Sequence, residues 1–249
     1  METTQRFTSA VIVAAGNSLR MKCKGNKNYL CIGEYPSLSL TLHAFDSCEL
    51  IDEIVLVHKK DEEAMARTAA KDADVKKKII YTEGGETRSA SVFNGLKAVS
   101  PNCTHVAIHD GARSLITPED ITDVLLCCYE CGAATAAARV TDTLCKIKHS
   151  ENGAFISQYI NRDDAALIQT PQCFEYGLIK TAHEKAEHGS NPTDDTGLVF
   201  GAGREVQLVF TKNKNLKITE PEDLYVAKGV IENRKNDLHN ETEENYADE

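Results

Sequence analysis

The sequence has no apolar run approaching the ~20 residues that a membrane span needs. Its opening stretch, METTQRFTS, lacks an apolar segment of signal-peptide length. Both absences predict a cytoplasmic protein with no membrane partner. Paired cysteine motifs are missing as well. The nine cysteines are an odd, scattered set, and Cys128-Tyr-Glu-Cys131, formally C-x-x-C, has neither a second pair nor histidines at finger spacing. Reduced cysteines on a helix therefore fit better than a zinc site, and the sequons at Asn102 and Asn240 are expected to be silent. Lysine and arginine are absent from Asn236 onward, where Asp237, Glu241, Glu243, Glu244, Asp248 and Glu249 collect. That composition predicts an acidic, disordered tail over 236–249. Setting the tail aside leaves about −4 of the formal charge of −10 on a body spanning 1–235, and no broad basic surface for nucleic acid.

The most informative absence is local. No acidic residue lies between Phe7 and Gly33, yet Arg20, Lys22, Lys24 and Lys27 all do. They follow a β-branched run, Val11-Ile12-Val13, that ends in Ala14, Ala15 and Gly16. Small residues at a strand's carboxyl end let a ligand approach the backbone, and the cations behind them can neutralise phosphate oxygens. A solvated basic loop is the alternative.

Apolar patterning continues this rhythm along the chain. Leu38 to Phe45 reads as a helix, Glu53 to His58 as a strand, and Asp61 to Asp74 as a helix opened by acids. Lys78 to Tyr81 is a strand and Glu86 to Val99 a helix. His105 to His109 is a strand ending at Asp110, and Thr117-Pro118-Glu119-Asp120 starts another helix. Ala133 to Val140 and Val206 to Phe210 read as strands, and Pro221 to Ile231 as the last helix. Alternating strands and helices predict one α/β domain with a mostly parallel, doubly wound (Rossmann-like) sheet. Ligands sit beyond the carboxyl ends of such strands. Ala14–Gly16, Gly84–Ser91 and Asp110–Arg113 all fall there, which points to one composite site. The stretch 141–169 breaks the alternation and reads as a β arm leaving the sheet.

Taken alone, Gly84-Gly85-Glu86-Thr87-Arg88-Ser89-Ala90-Ser91 is a turn into a helix whose N–H groups and Ser91 hydroxyl can contact a nucleotide. Asp110, at a strand end, suits magnesium, which takes hard oxygen ligands and bridges phosphates; a capping or salt-bridged aspartate is the alternative. Arg113 can hold an anion or pair with Asp110.

In order along the chain, these motifs resemble the 2-C-methyl-D-erythritol 4-phosphate cytidylyltransferases. The match comprises Ala14-Ala15-Gly16, Arg20-Met21, Lys27-Asn28-Tyr29-Leu30, Gly33-Glu34-Tyr35-Pro36, the Gly84–Val92 run and His109-Asp110-Gly111-Ala112-Arg113. It continues with Asp142-Thr143, Arg162, Thr170-Pro171-Gln172, Thr193-Asp194-Asp195 and Asn215 to Thr219. The resemblance implies a nucleotidyltransferase fold that joins CTP to a polyol phosphate in isoprenoid precursor synthesis, with Mg2+ held at Asp110. Carried over residue by residue, it makes Arg20, Lys27 and Lys217 catalytic cations. Ala14, Ala15, Gly16, Gly85, Glu86, Ser91, Asp110 and Gly111 become CTP contacts. Arg113, Thr143, Arg162 and Thr193 become contacts for the polyol phosphate. The arm implies a homodimer in which Thr143 and Arg162 serve the partner's site; on spacing alone Arg162 is a surface arginine.

The chain departs from the family pattern at five positions. Ser18 stands where a second glycine is usual, Asn28 replaces glutamine, and Gly111 replaces alanine. Ser114 replaces proline, and Phe200 replaces a glutamate. Ribitol 5-phosphate cytidylyltransferases share the fold, but their first motif looks more like A-G-G than Ala14-Ala15-Gly16. The departures keep open a CTP-binding protein without catalysis.

Overall fold

A computed structural model describes residues 6–16, 18, 21, 25–186 and 194–247, with only the backbone described from 237 onward. The chain runs β1 (Thr8–Val13), β2 (Cys31–Ile32), β3 (Tyr35–Pro36), α1 (Ser37–Ser47), β4 (Glu53–His58) and α2 (Glu63–Asp72). It continues through β5 (Lys78–Glu83), α3 (Arg88–Ala98), β6 (His105–Asp110), α4 (Pro118–Cys131) and β7 (Ala133–Arg139). The remaining elements are β8 (Leu144–Ser150), β9 (Gly153–Ile160), β10 (Ala166–Glu175), α5 (Tyr176–Ala186), α6 (Asp195–Gly201), β11 (Gln207–Phe210) and α7 (Pro221–Ala247).

Seven strands form the main sheet in the order β11-β7-β10-β6-β1-β4-β5. Every pairing is parallel except those of β10, which runs antiparallel to both β6 and β7. Strand alternation divides the core into two layers. Ala10, Ile12, Ile54 and Leu56 face α1, α2 and α4, where Leu42, Phe45, Ala69 and Leu125 bury against them. Val11, Val55, Val57, Val106 and Ile108 face the other way, toward Val92 and Leu96 of α3, Ile179 of α5 and Val199 of α6. Both faces are covered, as a largely parallel sheet requires. A third cluster, Met21, Ile32, Leu115, Ile218 and Ala227, seats α7 beside the first basic loop.

The order of β1, β4 and β5 on one side and β6 on the other creates a crevice at the carboxyl end of β1. Helix α4 shows how local chemistry fixes such boundaries. The Thr117 side chain accepts from the Asp120 N–H, Pro118 occupies the first turn, and Gly132 closes the helix at φ 82°.

Three readings of the sequence need correction. The arm read over 141–169 ends earlier: Ala166 to Ile168 already pair with β7, and Gln172 to Glu175 pair with β6, so Ala166–Glu175 is one strand of the main sheet. Helix α7 does not end near Ile231. It runs from Pro221 to Ala247, and Lys228 and Glu232 form an i,i+4 pair in its first half. Helices α5 and α6, which the apolar pattern did not announce, cover the β10 side of the sheet. The arm itself is a separate two-stranded antiparallel sheet of β8 and β9. No helix among the described residues is long and apolar enough to cross a membrane.

Candidate active site

The crevice opens into a cleft of about 750 Å³. Ala15, Gly16 and Ser18 line it from the end of β1, Lys59 and Lys60 from β4, and Gly84 to Arg88 with Ser91 from the turn into α3. Asp110 and Ala112 close the β6 side, and Lys27, Lys217 and Thr219 complete the wall. The composite site expected from three strand ends is therefore one cavity.

Close backbone approach at Gly84 holds two of those loops together. Its N–H donates to the His58 carbonyl at 2.8 Å. A Cβ placed there would sit 2.4 Å from Ala15 Cβ and 2.9 Å from Ser91 Oγ, so glycine is required for space. Ser91 Oγ accepts the Gly85 N–H at 3.1 Å and donates to the Thr87 carbonyl, which ties the loop to the first turn of α3.

The described end of the basic loop is held by amides. Asn26 and Asn28 both donate to the Ala14 carbonyl, at 2.7 and 2.9 Å. Asn28 thus carries out a buried structural task with the side chain that replaces glutamine. Ser18 adopts φ 53°, the left-handed region that glycine occupies without strain, which accounts for the usual glycine there. Its hydroxyl accepts the Lys27 N–H at 2.9 Å. Lys27 Nζ donates to the Ile218 carbonyl at 2.5 Å, so two cations 190 positions apart in sequence, Lys27 and Lys217, share one wall.

Asp110 is the centre of charge. Lys217 Nζ donates to its Oδ2 at 2.6 Å and Arg88 Nε to its Oδ1 at 2.9 Å. Burial alone would raise the Asp110 carboxyl, but Arg88 and Lys217 override it and hold the group well below the usual carboxylate range. Its backbone N–H donates to Thr170 Oγ1 at 3.1 Å, and that hydroxyl also meets His109 Nδ1 at 3.0 Å. With Oγ1 accepting from Asp110, its proton is directed at Nδ1, so His109 carries its own proton on Nε2 and donates to the Arg113 carbonyl. Burial drives the His109 imidazole down to about 3. It is neutral, fully enclosed and outside the cleft.

The other sequence-predicted residues divide clearly. Lys27, Lys217, Ala15, Gly16, Gly85, Glu86, Ser91 and Asp110 line the cleft. Ala14 and Gly111 do not. Ala14 is buried with its carbonyl occupied by the two asparagines, and Gly111 is wedged against Asn28, Leu38 and the Val13 carbonyl. Arg113 neither lines the cleft nor pairs with Asp110. Its guanidinium donates to the Asn215 carbonyl at 2.8 Å and so fixes the segment that carries Lys217. Thr143 and Arg162 lie on the exposed arm, where Arg162 donates to the Thr141 carbonyl. Arg20 and Thr193 lie outside the described residues. Ser114 is buried with its hydroxyl unpartnered, and Phe200 is 73% exposed on α6.

Sequence reasoning missed Arg88, Asp195, Lys59 and Lys60 as site residues. Arg88 and Asp195 sit inside recognised motifs, but only folding shows that they meet. A metal is the remaining question. No cluster of three or more His, Cys, Asp or Glu side chains suited to a metal occurs among the described residues. Asp110 is the buried carboxylate of the cleft and would be the residue to hold a magnesium ion shared with substrate phosphates, in exchange for one of the cations now on its oxygens.

This set of loops matches one family along almost its full length. The sequence profile of 2-C-methyl-D-erythritol 4-phosphate cytidylyltransferase covers residues 8–233. The chain belongs to this family. Its relatives include the 2-C-methyl-D-erythritol 4-phosphate cytidylyltransferase of Clostridium botulinum strain Langeland, 39% identical over 90% of this chain and 97% of that protein. The protein of the same name from Caldanaerobacter subterraneus is 44% identical over 88% and 96%. Among solved structures, the 4-diphosphocytidyl-2C-methyl-D-erythritol synthase of Anaerococcus prevotii superposes with a TM-score of 0.79 at 32% identity, covering 91% of this chain and 96% of the other. The Thermus thermophilus cytidylyltransferase gives 0.72 at 30% identity, over 90% and 98%. Membership of the cytidylyltransferases agrees with the α/β sheet, the crevice at β1 and the cationic wall.

Proposed function

We propose that the protein joins CTP to 2-C-methyl-D-erythritol 4-phosphate, giving CDP-methylerythritol and pyrophosphate in isoprenoid precursor synthesis. The observation that carries this reading is Asp110 at the crevice, flanked by Lys217 and faced by Lys27 on one cationic wall. Family membership supplies the nucleotide and the acceptor.

The phosphate of the polyol attacks the α-phosphate in line, and pyrophosphate leaves. That nucleophile is already an anion, so the protein needs no general base. His109, neutral and bonded on both ring nitrogens, fits that requirement. The task is to lower repulsion between anions and to stabilise charge gathering on the α-phosphate and the leaving group. Lys27 and Lys217 meet that charge from one wall, and Arg20 is assigned to the same task by its motif. Ala15, Gly16, Gly85, Glu86 and Ser91 hold the nucleotide. A magnesium ion at Asp110, when bound, adds Lewis-acid stabilisation of the phosphate oxygens.

The dimer through the arm is part of the proposal. Ile147, Phe155, Ile156 and Tyr159 of the arm are between 47 and 67% exposed, an apolar surface suited to a second copy. Thr143 and Arg162 would then serve the partner's polyol phosphate; Thr193 is assigned to polyol phosphate by its motif. The cytoplasmic setting belongs to the same reading, supported by buried, unbridged Cys48, Cys128 and Cys173.

Pyrophosphate release from CTP and Mg2+, with methylerythritol phosphate and ribitol 5-phosphate in parallel, tests the reading. Turnover with the first acceptor is the expected result. Turnover with ribitol 5-phosphate alone would move the acceptor assignment, and silence with both would overturn catalysis.

A further inference from the structure

Asp110 has two oxygens, and both are taken. Lys217 holds Oδ2 through a single ammonium on a side chain that is 33% exposed. Arg88 holds Oδ1 differently. Its Nε donates to Asp110, and its Nη1 donates to Asp195 Oδ2 at 2.8 Å. Burial works against the Arg88 charge, yet the two carboxylates together keep it firmly protonated.

Asp195 is itself fixed from three sides. Its side chain is 2% exposed, and Oδ1 accepts from His183 Nε2 at 2.9 Å. Its backbone N–H and that of Thr196 both donate to Gln172 Oε1. Gln172 Nε2 in turn donates to Asp194, whose other oxygen caps α6 at the Gly197 N–H. The ring of Phe93 stacks on His183 at 5.8 Å. A buried array from α5, α6 and β10 thus grips the far end of one guanidinium.

We propose that Arg88, gripped by Asp195, is a positioning residue that orients the Asp110 carboxylate and leaves Oδ2 as its exchangeable oxygen. A divalent cation arriving with CTP would take Oδ2, and Lys217 would transfer from Asp110 to the phosphates. Both partners line the cleft and their side chains are about equally exposed, at 33% and 28%, but the Lys217 ammonium holds one carboxylate and the Arg88 guanidinium two, so Lys217 is the partner able to yield. Arg88 cannot follow without breaking two buried ion pairs. The inference rests on the reading of Asp110 as the cation's carboxylate.

The test measures binding without turnover. Wild type, D110N, R88K, R88Q and D195N are titrated with Mn2+ and CTP, with free Mn2+ read by electron paramagnetic resonance. Binding of CTP in EDTA is measured separately by calorimetry. D110N and R88Q are expected to lose ~10-fold or more in Mn2+–CTP affinity, the range found when groups orienting a metal ligand are removed. R88K is expected to behave like R88Q, since an ammonium does not span two carboxylates. D195N should show an intermediate loss, and CTP binding in EDTA should change far less in every Arg88 and Asp195 variant.

R88Q leaves Asp195 with His183 alone and can unfold for that reason. The double variant R88Q/D195N removes the stranded charge and should show the same selective loss, with melting temperatures recorded throughout. Wild-type Mn2+–CTP affinity in R88K or in the double variant would overturn the proposal. So would a loss of equal size in EDTA, or a D110N variant that binds Mn2+–CTP normally. Polyol phosphate is absent from these titrations, so failure of the acceptor assignment cannot be mistaken for failure here.

Discussion

Substituting Gly84 by alanine isolates the contact that holds the two nucleotide-facing loops together. The added Cβ would lie 2.4 Å from Ala15 Cβ, more than 1 Å inside an ordinary carbon–carbon contact of about 3.5 Å. Ser91 Oγ at 2.9 Å can rotate, but Ala15 has no rotamer to change. Relief must come from moving the end of β1 away from the turn into α3, against the Gly84 N–H bond to the His58 carbonyl. Overpacking of this kind costs about 1–3 kcal/mol, which in a chain of this size lowers the melting temperature by roughly 2–12 °C. Thermal unfolding followed by circular dichroism measures it, and the KM for CTP should rise in step because both loops line the cleft. The double variant G84A/A15G removes the colliding methyl and should recover more than about 0.5 kcal/mol relative to additivity. Gly16→Ala is the stability control, since nothing lies within 4 Å of a Cβ at that position. A G84A protein as stable as wild type, or one that A15G does not rescue, would refute the steric argument.

Lys27→Ala is expected to lower kcat by ~10²-fold or more, as for loss of one transition-state donor; near-normal turnover in steady-state assays would remove Lys27 from the chemistry. Arg162→Ala should raise the KM for the polyol phosphate by about 10- to 100-fold, the worth of one charged hydrogen bond, and an unchanged KM would count against the arm's role. Asp223 Oδ2 accepts from Thr219 N, Thr219 Oγ1 and Glu220 N at the start of α7. Asp223→Ala should therefore cost about 1 kcal/mol, the usual worth of a helix cap, measured by denaturant unfolding. It should also depress kcat, since the same turn follows Lys217.

The parallel half of the sheet was legible because each of its strands is a short apolar run bounded by a turn signal. Glu53–His58 is a strand over the predicted span, and Thr117-Pro118 opens α4 as read. β10 escaped because its first half, Ala166 to Gln169, is partly exposed and only its second half enters the core. No period-two or continuous apolar pattern covers the whole strand. Helix α7 overran its expected end because low hydrophobicity argues against burial without arguing against helix. Glu241, Glu243 and Glu244 are good helix formers, but the three asparagines of 236–247 are not, so composition gives this extension no strong signal in either direction.

The site was legible to a different depth at each level. Residues at strand ends could be assigned to the cleft because strand order places them there, and Ala15, Gly16, Gly85 and Asp110 followed directly. Pairings between loops could not be read, since nothing in a sequence says which cation reaches which carboxylate. Arg113 is three residues from Asp110 and open to two readings, an anion holder or a partner of Asp110; its guanidinium turns to the Asn215 carbonyl. The partners actually present come from 22 residues upstream and 107 downstream. Proximity in sequence does not pick out the arginine that pairs with Asp110, and only the fold shows the division of labour. Arg113 fixes the backbone that carries Lys217, Arg88 fixes the side chain of Asp110, and Lys217 is left as the member of the trio with a single ionic partner. The network of Gln172, Asp195 and His183 anchors Arg88 and so makes Lys217 the less restrained of the two cations on Asp110.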